Sequence, residues 1–298
     1  MMKFELEIIK WIQNNLRNNF FDTFFYLLTQ IGDLYFFILI LAIIYWLVDK
    51  KYAYKFLFSY ILVAGVIGFL KVLVGRIRPY KYLLEEGYLI PNKWQETVNR
   101  SFPSGHSSSI SSVAYGIDNL YGKTNKYVRI SLILALIIIP FSRLYLAQHF
   151  ISDIIVGIII GLVFSAIGFY LFDLMKDKEH IYPLFIIPFI IIVLIVFMVF
   201  NKESSEVFSA AGGYIGFTTG YYLEKVYVKH NVKATLLQNV FKLLIGFSGI
   251  VVIYLIFKFI PSDNQILLTL MFMSMGLWAA YLAPLIFKKL FNQNNFTI

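Results

Sequence analysis

Long apolar segments recur along almost the whole chain, and they restrict its fold more than any other feature. They lie at about 34–48, 54–75, 105–121, 127–145, 150–173, 181–200, 207–223, 236–260 and 265–287. A helix needs roughly 20 apolar residues to cross a bilayer, and fewer where protein covers its ends. Because a lipid-exposed backbone has to satisfy its own polar groups, these segments predict an all-α, polytopic membrane bundle of about nine transmembrane helices.

Composition agrees with a membrane protein and argues against a soluble domain. Of the 298 residues, 59% are hydrophobic and only 14% are charged. The segment 4–29 differs from the spans, because polar and charged residues such as Gln13, Arg17 and Asp22 interrupt it. We therefore expect an N-terminal amphipathic helix that lies on the membrane surface.

Lysine and arginine are concentrated in alternate junctions between the spans. The basic junctions lie at 50–55, 123–129, 176–178, 225–233 and 288–289. The opposite junctions at 201–206 and 260–265 contain few or no basic residues, whereas the N-terminal segment and the loop at 76–100 are basic exceptions on that side. Basic loops stay in the cytoplasm, so a multi-pass protein of the cell membrane is expected. The net charge of +9 has the same explanation, and no nucleic-acid partner is expected.

Three short polar blocks interrupt the apolar pattern, each at the end of a predicted span. They are Lys71 with Arg78-Pro79, then Pro103-Ser104-Gly105-His106, and then the stretch from Arg143 to Asp153. Alternating span directions bring all three to the membrane face opposite the basic junctions, which is the outer face. One pocket at that surface is therefore geometrically available.

The last block carries the groups expected of a nucleophilic site. His149 and Asp153 are four residues apart, so on a helix they share one face. A carboxylate there accepts a hydrogen bond from one ring nitrogen and leaves the other free to act. Arg143 adds a forked donor suited to oxyanions.

The other two blocks complete an anion site. The stretch 103–106 is typical of a helix start, where backbone N–H groups favour an anion and Gly105 lets the backbone approach it. Lys71, Arg78 and Arg143 would surround the same anion with charge-assisted hydrogen bonds. So many donors suit the oxygens of a phosphoryl group in transfer, where electrostatic stabilisation is the largest effect.

With the phosphate held, His149 would attack phosphorus directly and His106 would protonate the leaving oxygen. Together the three blocks resemble the signature of the type-2 phosphatidic-acid phosphatase (PAP2) family. The resemblance implies that His149 forms a phosphoenzyme, that Asp153 orients it and that His106 is the acid. For phosphate binding it implies Lys71, Arg78, Ser104 and Arg143. These positions match the signature throughout.

The resemblance covers roughly residues 20–175. We therefore expect a phosphatase core at residues 1–180, with the amphipathic helix and five spans. Residues 181–298 are expected to form a C-terminal transmembrane extension of about four spans.

No metal and no cofactor are expected. Two histidines and an aspartate could hold a metal ion, but Lys71, Arg78 and Arg143 would repel a divalent cation. The chain has no cysteine, which excludes thiolate ligands and cysteine nucleophiles. His180 and His230 fall in predicted cytoplasmic loops, where we expect them to be solvated.

Small residues recur at helical spacing in two spans. They are Gly157 and Gly161 in one span, and Gly212, Gly216 and Gly220 in another. Such stripes let helix backbones approach closely. We expect packing within the chain, and a homodimer face is the alternative.

The substrate class stays open among several phosphates. A site at headgroup depth favours a lipid phosphate or diphosphate, of the phosphatidic acid, phosphatidylglycerophosphate, isoprenyl diphosphate or sphingoid-base phosphate class. A small soluble phosphate is the competing substrate, as in the related glucose-6-phosphatases. An anion or lipid-phosphate transporter is the alternative of another class, although a carrier has no need of a His-Asp pair. A haloperoxidase ranks last, because it would need bound vanadate.

Overall fold

The structure is a computed structural model that describes residues 2–88, 100–122, 124–200, 204–260 and 264–291. These residues form helices and no strand, which confirms the predicted all-α class. The helices are α1 (Met2–Asn15), α2 (Asn19–Thr29), α3 (Leu34–Leu47), α4 (Lys50–Val74), α5 (Pro79–Glu85), α6 (Gly105–Ile117), α7 (Lys126–Tyr145), α8 (Ile151–Leu174), α9 (Ile187–Val199), α10 (Ser205–Leu223), α11 (Leu236–Lys258), α12 (Gln265–Leu277) and α13 (Ala283–Phe291).

Short polar side chains decide where many of these helices begin. A side-chain oxygen that accepts a backbone N–H in the first turn stabilises a helix start by about 1 kcal/mol. Such caps stand before α2, α6, α7, α10, α11 and α12, and they are Asn18, Ser104, Asn125, Ser204, Thr235 and Asn264. Pro79 serves α5 in another way, because its fixed φ suits the first helical position.

Within the described residues, six helical segments are long and apolar enough to cross a membrane. The number rises to seven if α2 and α3, which are bent by 49° at their junction, form one span. The predicted count of nine is not confirmed. Two predicted spans do not qualify, since α6 has only 13 residues and α10 is rich in glycine, serine and threonine. A helix surrounded by protein needs no continuous apolar surface. The predicted junctions at 201–206 and 260–265 lie partly outside the described residues.

The N-terminal segment forms two helices where the sequence predicted one amphipathic helix. On α1, Phe4 and Trp11 are exposed, whereas Ile9 and Ile12 are buried. The buried face packs in one hydrophobic cluster with residues of α5 and of the segment between α7 and α8. The amphipathic helix is therefore docked on the protein by its apolar face.

The chain divides into two compact units. The first unit comprises Met1–Phe37 and Leu62–Ile167, and the second comprises Ile38–Ile61 and Gly168–Ile298. The limits of these units fall inside α3, α4 and α8. The predicted domain boundary after residue 180 stays a prediction.

In the first unit, α8 packs closely on α6 through its glycines. A Cβ atom added at Gly157 would lie 2.6 Å from the carbonyl oxygen of Ser104. At Gly161 it would lie 2.5 Å from the carbonyl oxygen of Ser108. Only glycine permits this approach, so the stripe packs within the chain.

In the second unit, α10 and α12 make a similar contact, because Gly212 faces the backbone of Thr269. This unit also corrects an expectation about His230, which is buried rather than solvated. Its Nδ1 lies 2.7 Å from Oε1 of Glu224, and Nζ of Lys50 donates to the same oxygen at 2.8 Å. Glu224, six residues earlier in the chain, offers this histidine a charged partner in place of water.

Candidate functional site

The predicted site residues lie together in the first unit, each at or beside a helix end. Lys71 is in the last turn of α4, Arg78 precedes α5, Ser104 caps α6, Gly105 and His106 begin α6, Arg143 is in the last turn of α7, His149 precedes α8, and Asp153 is in its first turn. Most of these side chains are buried, but Gly105 and His106 are partly exposed. The start of α6 is therefore the most exposed part of the cluster.

The imidazole of His149 is held by a main-chain atom. Its Nδ1 lies 2.7 Å from the carbonyl oxygen of Ser101 and 3.6 Å from Oδ2 of Asp153. A carbonyl oxygen only accepts hydrogen bonds, so Nδ1 carries the proton and Nε2 carries the lone pair. Nε2 lies 3.3 Å from Nη1 of Arg78. The shared helix face predicted for His149 and Asp153 is not the geometry found, because His149 lies before α8 begins.

The carboxylate of Asp153 is fixed by three donors. Oδ2 accepts from the hydroxyl of Ser101 and from the backbone N–H of Phe150 at 2.8 Å. Oδ1 accepts from Nη1 of Arg76 at 2.7 Å. The Arg76 guanidinium also lies over the Phe150 ring, 3.9 Å from its centroid. The Asp153 side chain is 0% exposed, so these donors replace the water that a buried carboxylate loses.

Ser101 connects all three sequence blocks. Its N–H donates to the carbonyl oxygen of Arg76 at 2.8 Å, its hydroxyl donates to Asp153 and its carbonyl accepts from His149. Sequence reasoning missed Ser101 and Arg76, although both lie beside or within the blocks. Their signal was a polar residue next to a motif, which is too common to identify a contact.

The two arginines of the predicted site have different surroundings. Nη1 of Arg78 donates to the carbonyl oxygen and the side-chain oxygen of Gln148, both at 3.1 Å. Nη1 of Arg143 donates to Oγ1 of Thr29 at 3.0 Å. Nε of Arg143 is buried and makes no hydrogen bond with the described residues. A buried guanidinium N–H without an acceptor is costly, and a bound anion would satisfy it.

The start of α6 adds further donors. The hydroxyl oxygen of Ser104 accepts from the Ser107 N–H at 3.3 Å and from the Ser107 hydroxyl at 2.9 Å. The hydroxyl proton of Ser104 is therefore available to be donated to a ligand. A Cβ atom added at Gly105 would lie 3.7 Å from Nζ of Lys71. The Lys71 ammonium therefore lies beside the first turn, whose N–H groups have no acceptor within the helix.

His106 faces the junction between α2 and α3. Its Nε2 lies 4.0 Å from Oδ2 of Asp33, and a Cβ atom added at Gly32 would lie 3.1 Å from its Cβ. Thr29, the partner of Arg143, belongs to the same junction. Sequence reasoning missed this wall of the site, because it assigned the segment before residue 30 to the membrane surface.

Positive charge dominates the cluster. Burial, followed by the charges of Arg78, Arg143 and Lys71, lowers the pKa of His149 well below its ordinary value. The imidazole is therefore neutral at pH 7 and keeps its lone pair. Among the described residues, no group of three or more His, Asp or Glu side chains is arranged to hold a metal ion. This arrangement can bind an anion and present a nitrogen nucleophile to it.

Comparison with known families gives two matches along the chain. Residues 52–177 match the model of the PAP2 superfamily. Residues 208–295 match the model described as PAP2 superfamily phosphatase, transmembrane extension. Together the two matches cover more than two thirds of the chain. No curated protein and no solved structure gave a significant match.

Proposed function

This chain belongs to the PAP2 superfamily and is a multi-pass membrane phosphatase, and we propose that it hydrolyses a lipid phosphate or diphosphate through a phosphohistidine on His149. One observation carries the proposal. The Nδ1 proton of a buried, neutral His149 is committed to the Ser101 carbonyl, and its Nε2 is directed to Arg78.

The reaction has two steps. Nε2 of His149 attacks phosphorus, an N–P bond forms, and the bond from phosphorus to the leaving oxygen breaks. Protonated His106 gives that oxygen a proton and becomes neutral, so the leaving group departs as an alcohol or as a protonated phosphate. A water molecule then gives a proton back to His106 and attacks phosphorus, which breaks the N–P bond and releases inorganic phosphate. Asp153 stabilises the imidazole as it gains positive charge.

Arg78, Arg143 and Lys71 would hold the phosphoryl oxygens in both steps. The buried Nε of Arg143 supports this role, because this donor has no acceptor among the residues that the structure describes and lies in a positively charged cluster. The hydroxyl of Ser104 and the first N–H groups of α6 would complete the binding site. Such fixed donors act most strongly on the transition state, where charge on the equatorial oxygens is greatest.

A lipid substrate is supported by the apolar surface beside the site. Leu73 and Ile77 lie between Lys71 and Arg78 in sequence, and their side chains are 67% and 51% exposed. A lipid tail needs such a surface, and each methylene kept out of water contributes about 0.8 kcal/mol. The phosphate would then approach sideways from the bilayer at headgroup depth. We expect broad tolerance of the tail, because the bilayer and not a pocket would hold it.

The proposed active site faces outside the cell membrane. This orientation follows from the basic junctions, which lie on the opposite side of the predicted bundle. The substrate would then come from the outer leaflet.

A screen for phosphate release tests the proposal. Purified protein is given phosphatidic acid, phosphatidylglycerophosphate, isoprenyl diphosphates, sphingoid-base phosphates and sugar phosphates, with His149→Ala as the control. We expect release from a long-chain lipid substrate and essentially none from the variant. Wild-type turnover by His149→Ala would exclude the phosphohistidine. Equal or better kcat/KM for a water-soluble short-chain analogue would favour a soluble substrate, and binding without phosphate release would favour a carrier.

A further inference from the structure

We propose that Glu5, on the N-terminal helix, is a positioning residue of catalysis that acts through Arg76 on Asp153. The inference rests on the proposed function, since it concerns the group beside the proposed nucleophile. It assigns a catalytic purpose to α1, which the sequence predicts only as an amphipathic surface helix.

The contacts form a continuous chain to the site. Oε2 of Glu5 lies 3.1 Å from Nη2 of Arg76, and Nη1 of Arg76 lies 2.7 Å from Oδ1 of Asp153. Arg76 therefore bridges two carboxylates with the two arms of its guanidinium, which is the geometry that suits arginine and not lysine. Asp153 in turn lies 3.6 Å from Nδ1 of His149.

Glu5 is also bonded to the start of α8. Its Oε1 accepts from the N–H of Ser152 at 2.7 Å, and its Oε2 lies 3.2 Å from the Ser152 hydroxyl. A carboxylate at a helix N-terminus is stabilised by the free N–H groups there. Glu5 thus holds both the arginine that contacts Asp153 and the residue that precedes Asp153.

Burial shows that Glu5 is built into this position. Glu5 is 5% exposed, whereas Glu7 on the same helix has a side chain that is 68% exposed and, among the described residues, pairs with Lys10 alone. The helix itself is held by the buried Ile9 and by Nε2 of Gln13, which donates to the carbonyl oxygen of Tyr145 at 2.6 Å. A buried carboxylate needs a partner of opposite charge. The partner of Glu5 is Arg76, which in turn contacts Asp153 at the proposed site.

Glu5 and Arg76 also set the charge beside the proposed nucleophile. Arg76 adds a positive charge beside Asp153, whose Oδ2 lies 3.6 Å from Nδ1 of His149, and Glu5 offsets that charge. Without Glu5 the site would be more positive and the imidazole less basic. Without Arg76 the reverse would hold. The other charged or titratable groups that face His149 are Lys71, Arg78, His106, Arg143 and Asp153.

The test compares Glu5→Gln, Glu5→Asp and Arg76→Gln with the matched control Glu7→Gln. The full-length proteins are assayed for phosphate release from dioctanoyl phosphatidic acid, or from the lipid preferred in the screen. For Glu5→Gln we expect kcat to fall about 10- to 100-fold, by analogy with the partners that orient metal ligands, with KM within about twofold. Glu7→Gln should match the wild type.

The acidic limb of the pH profile of kcat distinguishes a positioning role of Glu5 from a role in stability alone. Glu5→Gln should move it to lower pH and Arg76→Gln to higher pH, whereas Glu5→Asp should lower kcat and leave the limb in place. A purely structural role would lower the melting temperature without opposite shifts. If Glu5→Gln does not fold, the kcat and KM of Glu5→Asp decide the question.

Two results would overturn the inference. One is a kcat for Glu5→Gln within about twofold of the wild type. The other is a loss of kcat that is fully explained by a smaller folded fraction, with the acidic limb unmoved in both Glu5→Gln and Arg76→Gln. In either case an inactive His149→Ala leaves the proposed function standing, and an active His149→Ala would overturn that function instead.

Discussion

The imidazole of His149 and the carbonyl oxygen of Ser101 form a 2.7 Å hydrogen bond that determines which ring nitrogen can react. Because the acceptor is a main-chain atom, it cannot take a proton from the ring at any working pH. The lone pair therefore stays on Nε2, on the side of Arg78. The proposed nucleophile depends on this backbone contact as much as on Asp153.

The pH dependence of activity should reflect the surroundings of His149. Burial and the neighbouring cations lower its pKa, so the neutral, reactive form persists as the pH falls through its ordinary value of about 6.5. We expect the acidic limb of kcat/KM to lie below that value. Two substrates with different phosphate pKa values distinguish ionisation of the enzyme from that of the substrate. An enzyme limb at or above pH ~6.5 would contradict this prediction.

Substitution of His106 should have an effect that depends on the leaving group. His106→Ala removes the proposed proton donor, so turnover of alkyl phosphates should fall by about two to four orders of magnitude. Esters with acidic leaving groups need no proton and should keep most of their rate. The measurement is the slope of log kcat against leaving-group pKa. Equal losses for all leaving groups would show that His106 does not act as the acid.

Gly157 should be essential for the close packing that positions the start of α6. In Gly157→Ala the new Cβ would meet the carbonyl oxygen of Ser104 at 2.6 Å, so α6 and α8 would have to move apart. We expect a lower melting temperature and a loss of activity. Gly65→Ala is the matched control, because no atom of the described part of the chain lies within 4 Å of a Cβ added there. Similar behaviour of the two variants would contradict the packing argument.

Activity should not require a metal ion. Lys71, Arg78 and Arg143 occupy the surroundings that a divalent cation would need, so exhaustive chelation should leave turnover unchanged. Vanadate should inhibit, because it imitates the five-coordinate phosphoryl group. The assay is phosphate release after EDTA treatment and dialysis. Loss of turnover that zinc or magnesium restores would show that the site is metal-dependent.

The orientation in the membrane can be measured with single cysteines, since the chain has none. Glu85 lies at the end of α5 beside the site, and Lys233 lies in a predicted cytoplasmic loop, and both are exposed. A cysteine at 85 should react with an impermeant maleimide in intact cells, and one at 233 should react only after lysis. The reverse pattern would place the site inside.

Local sequence determined the helical class and predicted the charged members of the three blocks at the candidate site. Apolar runs predict helices wherever they occur, and the three blocks put Lys71, Arg78 and His149 at helix ends by spacing alone. These features depend on neighbours a few residues apart, which a sequence displays directly. The family resemblance rests on the same local blocks.

Tertiary structure alone decided which groups touch. Ser101 became the acceptor for His149, and Glu5 reached Ser152 across 147 positions of the chain. His230 was expected in water and is buried against Glu224. The predicted count of nine spans is not confirmed, since six or seven described segments qualify and α6, with 13 residues, is too short to do so. Hydropathy reports the surface that a segment would show to its surroundings, whereas the partner of a buried polar group is chosen by the packing of distant segments.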